Sequence, residues 1–358
     1  MKSLYTPLSF DHGPDIKNRF MLAPLTNSQS HADGTLSDDE YHWLSMRAKG
    51  GFGLTMTCAA HVQARGQGFP GQLGIFDDKH IEGLSRLAAN IRKHDSVAIA
   101  QLHHAGMRSP AELINTLPVC PSDNPKHSAV ALSENEVKEL IQDFVSAALR
   151  AQQAGFQGVE IHGAHGYILG QFLSSEINQR TDQFGGSLEN RCRVIDGILN
   201  GVREQCGEAF MLGLRLSPER FGMRLGEILE YSQRLMSANA IDFLDMSLWD
   251  VFKEPEEEAY KGRNLISYFT ELDRGHVRLG VAGKISSAAD IAKTLETGVD
   301  WIMLGRAAIL HHDFPQQMSN DTNFTSIALP VTREYLNKEG LGSAFIDYMS
   351  SWSGFVEG

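Results

Sequence analysis

Within "VEIHGAHGY", residues 159–167, the rings of His162, His165 and Tyr167 are packed together at the end of an apolar run. Three titratable rings in so short a span can bind a metal, hold a polar substrate, or fill a polar corner of the fold. A metal site needs more than two imidazoles. The HxxH spacing brings a pair together, but no carboxylate or cysteine completes a ligand set and the HExxH spacing is absent. No metal is expected. Choosing between the other two readings requires the elements that carry the rings.

Eight short apolar runs read as strands: "RFMLAP" (19–24), "GLTMTCA" (53–59), "VAIAQL" (97–102), "GVEIH" (158–162), "MLGLRLS" (211–217), "DFLDMS" (242–247), "VRLGVAG" (277–283) and "DWIMLG" (300–305). Helical patterns follow near 38–49, 79–94, 134–155, 187–206, 226–238, 264–275, 286–297 and 306–311. Apolar strands each followed by a helix indicate a parallel sheet covered on both faces. Eight such units without a Gly/Pro-rich linker favour an α/β fold, a closed (β/α)₈ TIM barrel forming one domain over 1–358. A Rossmann domain with a second domain is the alternative. It lacks a GxGxxG after any strand, and "GLGSAF" near the C-terminus has neither the spacing nor the context. Insertions at 103–133 and 248–263 follow strand C-termini, where barrels build active sites, and the first is expected to act as a lid. The acidic "EPEEE" (254–258) reads as a solvated loop.

Composition limits the partners. A net charge of −12 argues against nucleic acid and anionic membrane, and no apolar run reaches the length of a membrane span. "MKSLYTPLSF" has no apolar core of the signal-peptide type. Cys58, Cys120, Cys192 and Cys206 form no CxxC pair, which fits reduced thiols. The expectation is a cytoplasmic protein acting on a small molecule, with a homo-oligomer possible.

In a barrel, the residues at strand C-termini converge: Pro24, Thr26, Ala59, Gln101, His162, His165, Tyr167, Arg215, Ser247, Gly283, Lys284, Gly305 and Arg306. Side chains alternate along a strand. Val159 and Ile161 therefore suit the outer face, turning Glu160 and His162 inward; Leu214 and Leu216 likewise turn Arg215 inward. An inward arginine needs an acceptor partner, because an unpaired buried charge is costly.

Several motifs now carry a resemblance. "EIHGAHGYILGQFLSSEINQRTDQFGGSLENR" (160–191) is long and specific, and "IKNRFMLAPLT" (16–26), "IAQLHHAG" (99–106), "LRLS" (214–217) and "IMLGRA" (302–307) match in order along almost the whole chain. The sequence resembles the old yellow enzyme family of FMN-dependent ene-reductases. The resemblance implies non-covalent FMN, with NAD(P)H as hydride donor at the same open face. Activated C=C bonds of α,β-unsaturated carbonyl or nitro compounds would be reduced by a ping-pong route through flavin N5. It places Pro24, Thr26 and Ala59 along the flavin ring, Gln101 at the pyrimidine end and Arg215 beside N1 and C2=O. Gly283, Gly305 and Arg306 would hold the phosphate. His162 and His165 would donate to a substrate carbonyl oxygen, and Tyr167 would supply the proton.

Such chemistry suits these residues. Two imidazole donors on one oxygen stabilise enolate-like charge, and a phenol stays protonated at neutral pH. A phosphate-binding isomerase or lyase without flavin, or a non-catalytic flavin-binding barrel, are the alternatives. His103 and His104 read as loop anchors, His104 with a possible place near the flavin. In "TDQFGGSLENR" (181–191), Gly185 and Gly186 suit a turn, Ser187 a helix cap and Arg191 a tie. Against the family pattern, position 26 is Thr where one subgroup has Cys, and residues 27–30 ("NSQS") lack that subgroup's Tyr. His165 stands where some members have Asn. Trp352 and Phe355 are aromatic enough to reach a substrate pocket, the chain's own or a neighbour's.

Overall fold

A computed structural model describes residues 2–358. Its strands are β1 (Phe20–Leu22), β2 (Leu54–His61), β3 (Val97–His103), β4 (Val119–Cys120), β5 (Val130–Ala131), β6 (Gly158–Gly163), β7 (Met211–Leu216), β8 (Phe243–Ser247), β9 (Arg278–Ala282) and β10 (Trp301–Leu304). All but β4 and β5 close into a parallel barrel in the order β1-β10-β9-β8-β7-β6-β3-β2. Each expected strand run overlaps one barrel strand, with β2, β3 and β6 running one or two residues further. The seam is β1 on β10, with Phe20 beside Ile302 and Leu22 beside Leu304.

Alternation along these strands sorts the side chains into two cores. Val159, Ile161, Leu212, Leu214 and Leu216 point outward into the layer shared with the helices. Met21, Leu54, Met56, Val97, Ile99, Met211, Phe243, Trp301 and Met303 point inward and fill the lower barrel, with Leu8 and Ile16 of an N-terminal hairpin packed beneath them. A filled interior of this kind is a packed core and not a pore. Higher up, the inward positions become polar, with Gln101, Glu160, His162, Arg215 and Asp245 all buried.

The helices follow from local signals. Ser133 and Glu136 form a reciprocal capping box for Glu134–Gln153. Ser187 caps Leu188–Cys206 through the Asn190 N–H, as its position suggests. Arg191 from this helix donates to the Leu173 and Gly186 carbonyls and pairs with Glu227, so it does tie the 181–191 loop down. One helical expectation is corrected: 264–275 shortens to Leu265–Thr270, whereas the last barrel helix, Arg306–Leu310, lies where expected and is followed by Phe314–Asn320. The helices Arg333–Lys338 and Ser343–Ser350 were not anticipated.

Neither insertion is structureless. Residues 103–133 contain the small parallel pair β4–β5 and the turn Ala111–Ile114. The acidic stretch is mostly exposed, but Glu257 accepts from the Leu225 N–H at 2.5 Å and so caps Leu225–Ser237. Among the described residues no helix is long and apolar enough to cross a membrane.

Candidate active site

One cleft at the C-terminal end of the barrel is lined by Pro24, Thr26, Ala59, Gln101, His162, His165, Tyr167 and Arg306. Residues from five barrel strands or the loops after them thus meet as expected. Arg215, Gly283 and Gly305 are not among the lining residues. Arg215 lies just behind the histidines, its Nη2 donating to Ser247 Oγ at 3.3 Å while His165 contacts the same hydroxyl. Gly305 directly precedes Arg306. Gly283 packs against another loop: a Cβ there would sit 2.7 Å from Val251 N, so the approach of residues 250–251 explains this glycine without a ligand.

The turn after β6 is built to hold the rings. His165 adopts φ 60° and Gly166 φ 67°, and left-handed backbone at a non-glycine residue persists only where its surroundings hold it. Here Ser217 Oγ accepts from the His165 N–H at 3.0 Å, and Arg108 Nη1 donates to the His165 carbonyl at 2.5 Å. Tyr167 then starts the buried helix Ile168–Leu173.

Hydrogen bonding fixes the tautomers. His162 Nδ1 accepts from the Ala164 N–H at 3.2 Å, so its proton is on Nε2, which lies 3.3 Å from His165 Nδ1. His165 Nδ1 is then an acceptor, and its Nε2–H donates to Ser247 Oγ at 2.7 Å. Both rings are neutral. Burial, then the neighbouring imidazoles and last Arg215 and Arg108, holds His162 well below the usual imidazole range, and burial with the two arginines holds His165 down to about 3. Burial moves the Tyr167 phenol upward, opposed in part by Arg108, whose guanidinium carbon sits 4.7 Å from the centre of the Tyr167 ring. The arrangement offers two neutral N–H donors and one firmly protonated O–H around the same space.

Several residues beyond those anticipated take part. Leu25, Phe69, Ile309, Tyr348, Met349 and Trp352 complete the lining. Trp352, 41% exposed, stands at the mouth of its own chain's cleft, while Phe355 is buried in the core. The two histidines of the first insertion differ from expectation. His104 is the anchor, accepting from the Gly106 N–H and contacting Gln63. His103 is the one beside the site, its ring 4.4 Å from Tyr167 and 5.4 Å from His162. Strand alternation supplies the reason: His103 is two residues after Gln101 and shares its inward face.

Buried neutral histidines make the fold acid-labile. His61 is held down to about 4 and His104 to about 3, chiefly by burial, as are His103 and His162 more strongly. Unfolded imidazoles titrate near 6.5, so below that pH the unfolded chain binds more protons than the folded one. Each such ring then removes up to roughly 1.4 kcal/mol per pH unit. The melting temperature should be flat above pH 7 and fall steeply from pH 6.5 to 4.5. A flat profile across that window would contradict the assigned protonation states.

The sequence matches the NADH:flavin oxidoreductase / NADH oxidase family over residues 3–324. The chain belongs to this family, the old yellow enzymes. It is 37% identical over 320 residues to the probable NADH-dependent flavin oxidoreductase YqiG of Bacillus subtilis, covering 86% of each chain. It is 33% identical to an NADPH dehydrogenase of Bacillus cytotoxicus, over 90% of this chain and 93% of that one. The old yellow enzyme homologue from Zymomonas mobilis superposes with a TM-score of 0.81 at 25% identity, over 97% of this chain and 99% of that one. The family uses FMN, with NAD(P)H as hydride donor, which sets aside a flavin-free isomerase or lyase. The residues present fit that flavin. Arg215 is 4% exposed, yet its Nε and Nη1 have no partner among the described residues. Two orphaned N–H donors on a buried cation are costly unless an acceptor completes them, and the small floor of Pro24, Thr26 and Ala59 leaves room for a flat ring above.

Proposed function

We propose that this protein is an FMN-dependent NAD(P)H oxidoreductase that reduces activated C=C bonds of α,β-unsaturated carbonyl or nitro compounds by a ping-pong route. The observation that carries the reading is the neutral His162–His165 pair beside the protonated Tyr167 at one cleft. Bound FMN supplies the two-electron hydride relay between NAD(P)H and the alkene. Pro24, Thr26 and Ala59 would line its ring, Gln101 its pyrimidine edge, and Arg215 would meet the negative charge that reduction brings. Arg306, with the backbone at Gly283 and Gly305, would hold the phosphate. The imidazole donors then hold the substrate's carbonyl or nitro oxygen and stabilise the charge developing there, and Tyr167 protonates Cα. The whole chain, 1–358, acts as one flavin-binding domain in this reading. A cytoplasmic location is part of it, supported by four buried cysteines that are all free.

Anaerobic titration tests the proposal. The purified protein should be yellow, bleach with NAD(P)H and regain colour on adding an enone or nitroalkene. Colour that fails to return across a panel of enones, nitroalkenes and maleimides would leave a flavin oxidoreductase without alkene reductase activity.

Arg215 gives a sharper expectation. Arg215→Ala should lower the flavin's midpoint potential and slow its reduction by NAD(P)H, by a few kcal/mol at most because solvent compensates in part. An unchanged potential in a flavin-replete variant would refute the placement of this charge.

A further inference from the structure

Beneath the cleft lies a pair of acids that the proposed reaction does not use. Glu160 on β6 and Asp245 on β8 are both fully buried and reach past β7 to within hydrogen-bonding distance of each other. Their outer oxygens are occupied. Gln101 Nε2 donates to Glu160 Oε1 at 2.6 Å, and Trp301 Nε1 donates to Asp245 Oδ1 at 2.8 Å. The other two oxygens, Glu160 Oε2 and Asp245 Oδ2, receive no donor from any other group. Space for the Trp301–Asp245 hydrogen bond, which holds Asp245 in place, depends on Gly280, where a Cβ would lie 2.0 Å from Asp245 Oδ1 and 1.7 Å from Trp301 Nε1.

Two ionised carboxylates are acceptors only, and in a desolvated interior they cannot face each other bare. One proton between them removes the conflict. Burial pushes both carboxyls up: the neighbouring Asp245 adds to the effect on Glu160, which is raised well above the usual range, while Asp245 is raised against the opposing Glu160 hydrogen bond, Arg215 and Trp301. The proton therefore sits on Glu160 and the charge on Asp245. The groups that interact with the pair are Gln101 from β3, Arg215 from β7 and Trp301 from β10. Of these only Arg215 is charged, and it sits opposite Asp245 in the β7–β8 register without bonding to it.

We propose that Glu160 and Asp245 share one proton and form a buried monoanion that counterbalances Arg215 and so sets the midpoint potential of the flavin. Glu160 also fixes the amide of Gln101: with Nε2 turned to the acid, the oxygen is the atom left for the cleft. Both acids are positioning residues. Their effect on the flavin rests on FMN occupying the cleft, but the shared proton does not.

Two conservative variants separate the possibilities. In the FMN-loaded enzyme, Asp245→Asn removes the single charge and should raise the ratio of reduced to oxidised flavin at a fixed potential at least tenfold, about 30 mV for a two-electron couple. Glu160→Gln replaces one neutral donor by another and should change that ratio less than threefold. Equal increases would mean that both acids are ionised, and no change in either would mean that neither is; each result overturns the proposal. Infrared spectra supply a reading independent of flavin. Wild-type minus Glu160→Gln protein, loaded or FMN-free, should show a protonated carboxyl C=O band at pH 7 that persists from pH 5 to 9. If a variant does not fold, the reduced-minus-oxidised spectrum of the wild type must show that band shift, and its absence would equally refute the idea.

Discussion

Tyr167→Phe should leave the reduction of flavin by NAD(P)H near the wild-type rate and slow alkene reduction by roughly 10² to 10⁴, the usual worth of a positioned general acid. The substitution keeps the ring that contacts His103, His162 and the Arg108 guanidinium, so packing is preserved and only the hydroxyl is lost. Reduction of the cofactor needs no proton from this side. Hydride reaches Cβ and the proton reaches Cα as separable events, and only the second should fail. Nitroalkenes should suffer least, because their product can leave as a stabilised carbanion and be protonated later by water. Stopped-flow measurement of both half-reactions decides the matter. Equal slowing of both would reduce Tyr167 to a shaping role, and no slowing of either would assign the proton to another group or to water.

His162→Ala or His165→Ala should each cost about 10² to 10³ in alkene reduction and weaken phenolic and enone ligands, as loss of an oxyanion donor does elsewhere. The structure adds a constraint. Without a ligand the donors satisfy each other in series, His162 Nε2–H on His165 Nδ1 and His165 Nε2–H on Ser247. A substrate oxygen must compete with that chain: removing His165 frees the His162 N–H, whereas removing His162 leaves the His165 N–H on Ser247. The double variant should therefore lose less than the product of the singles. Steady-state kinetics and ligand titrations on the three variants provide the comparison. Strictly multiplicative losses would show that the rings act on separate groups.

The barrel was legible because its strands are buried on both faces and so read as unbroken apolar runs, from "RFMLAP" to "DWIMLG". Inward turning of His162 and Arg215 followed from alternation alone. Alternation would also have separated His103 from His104, had the strand been read one residue further, to its observed end at His103. Other features leave no local trace. Arg108 meets Tyr167 across 59 residues of chain, and Tyr348 and Met349 reach the cleft from a helix far along the sequence. The role of Gly280 is invisible without Trp301 and Asp245, because only their contact shows why a side chain is excluded there.

The seam between β1 and β10 has a consequence for biosynthesis. Strand β1 is made early, yet its partner at Trp301–Leu304 emerges near the end of translation. At roughly 5–20 residues per second, β1 waits on the order of 15 s to a minute with one edge unpaired. An open edge is a template for wrong pairing, and β2 covers only the opposite edge of β1, so the nascent chain must rely on chaperones to shield it. The same seam brings Pro24 and Thr26 beside Arg306. Under the proposed flavin placement, capture would follow barrel closure, and the quenching of flavin fluorescence during synthesis would time the last step of folding.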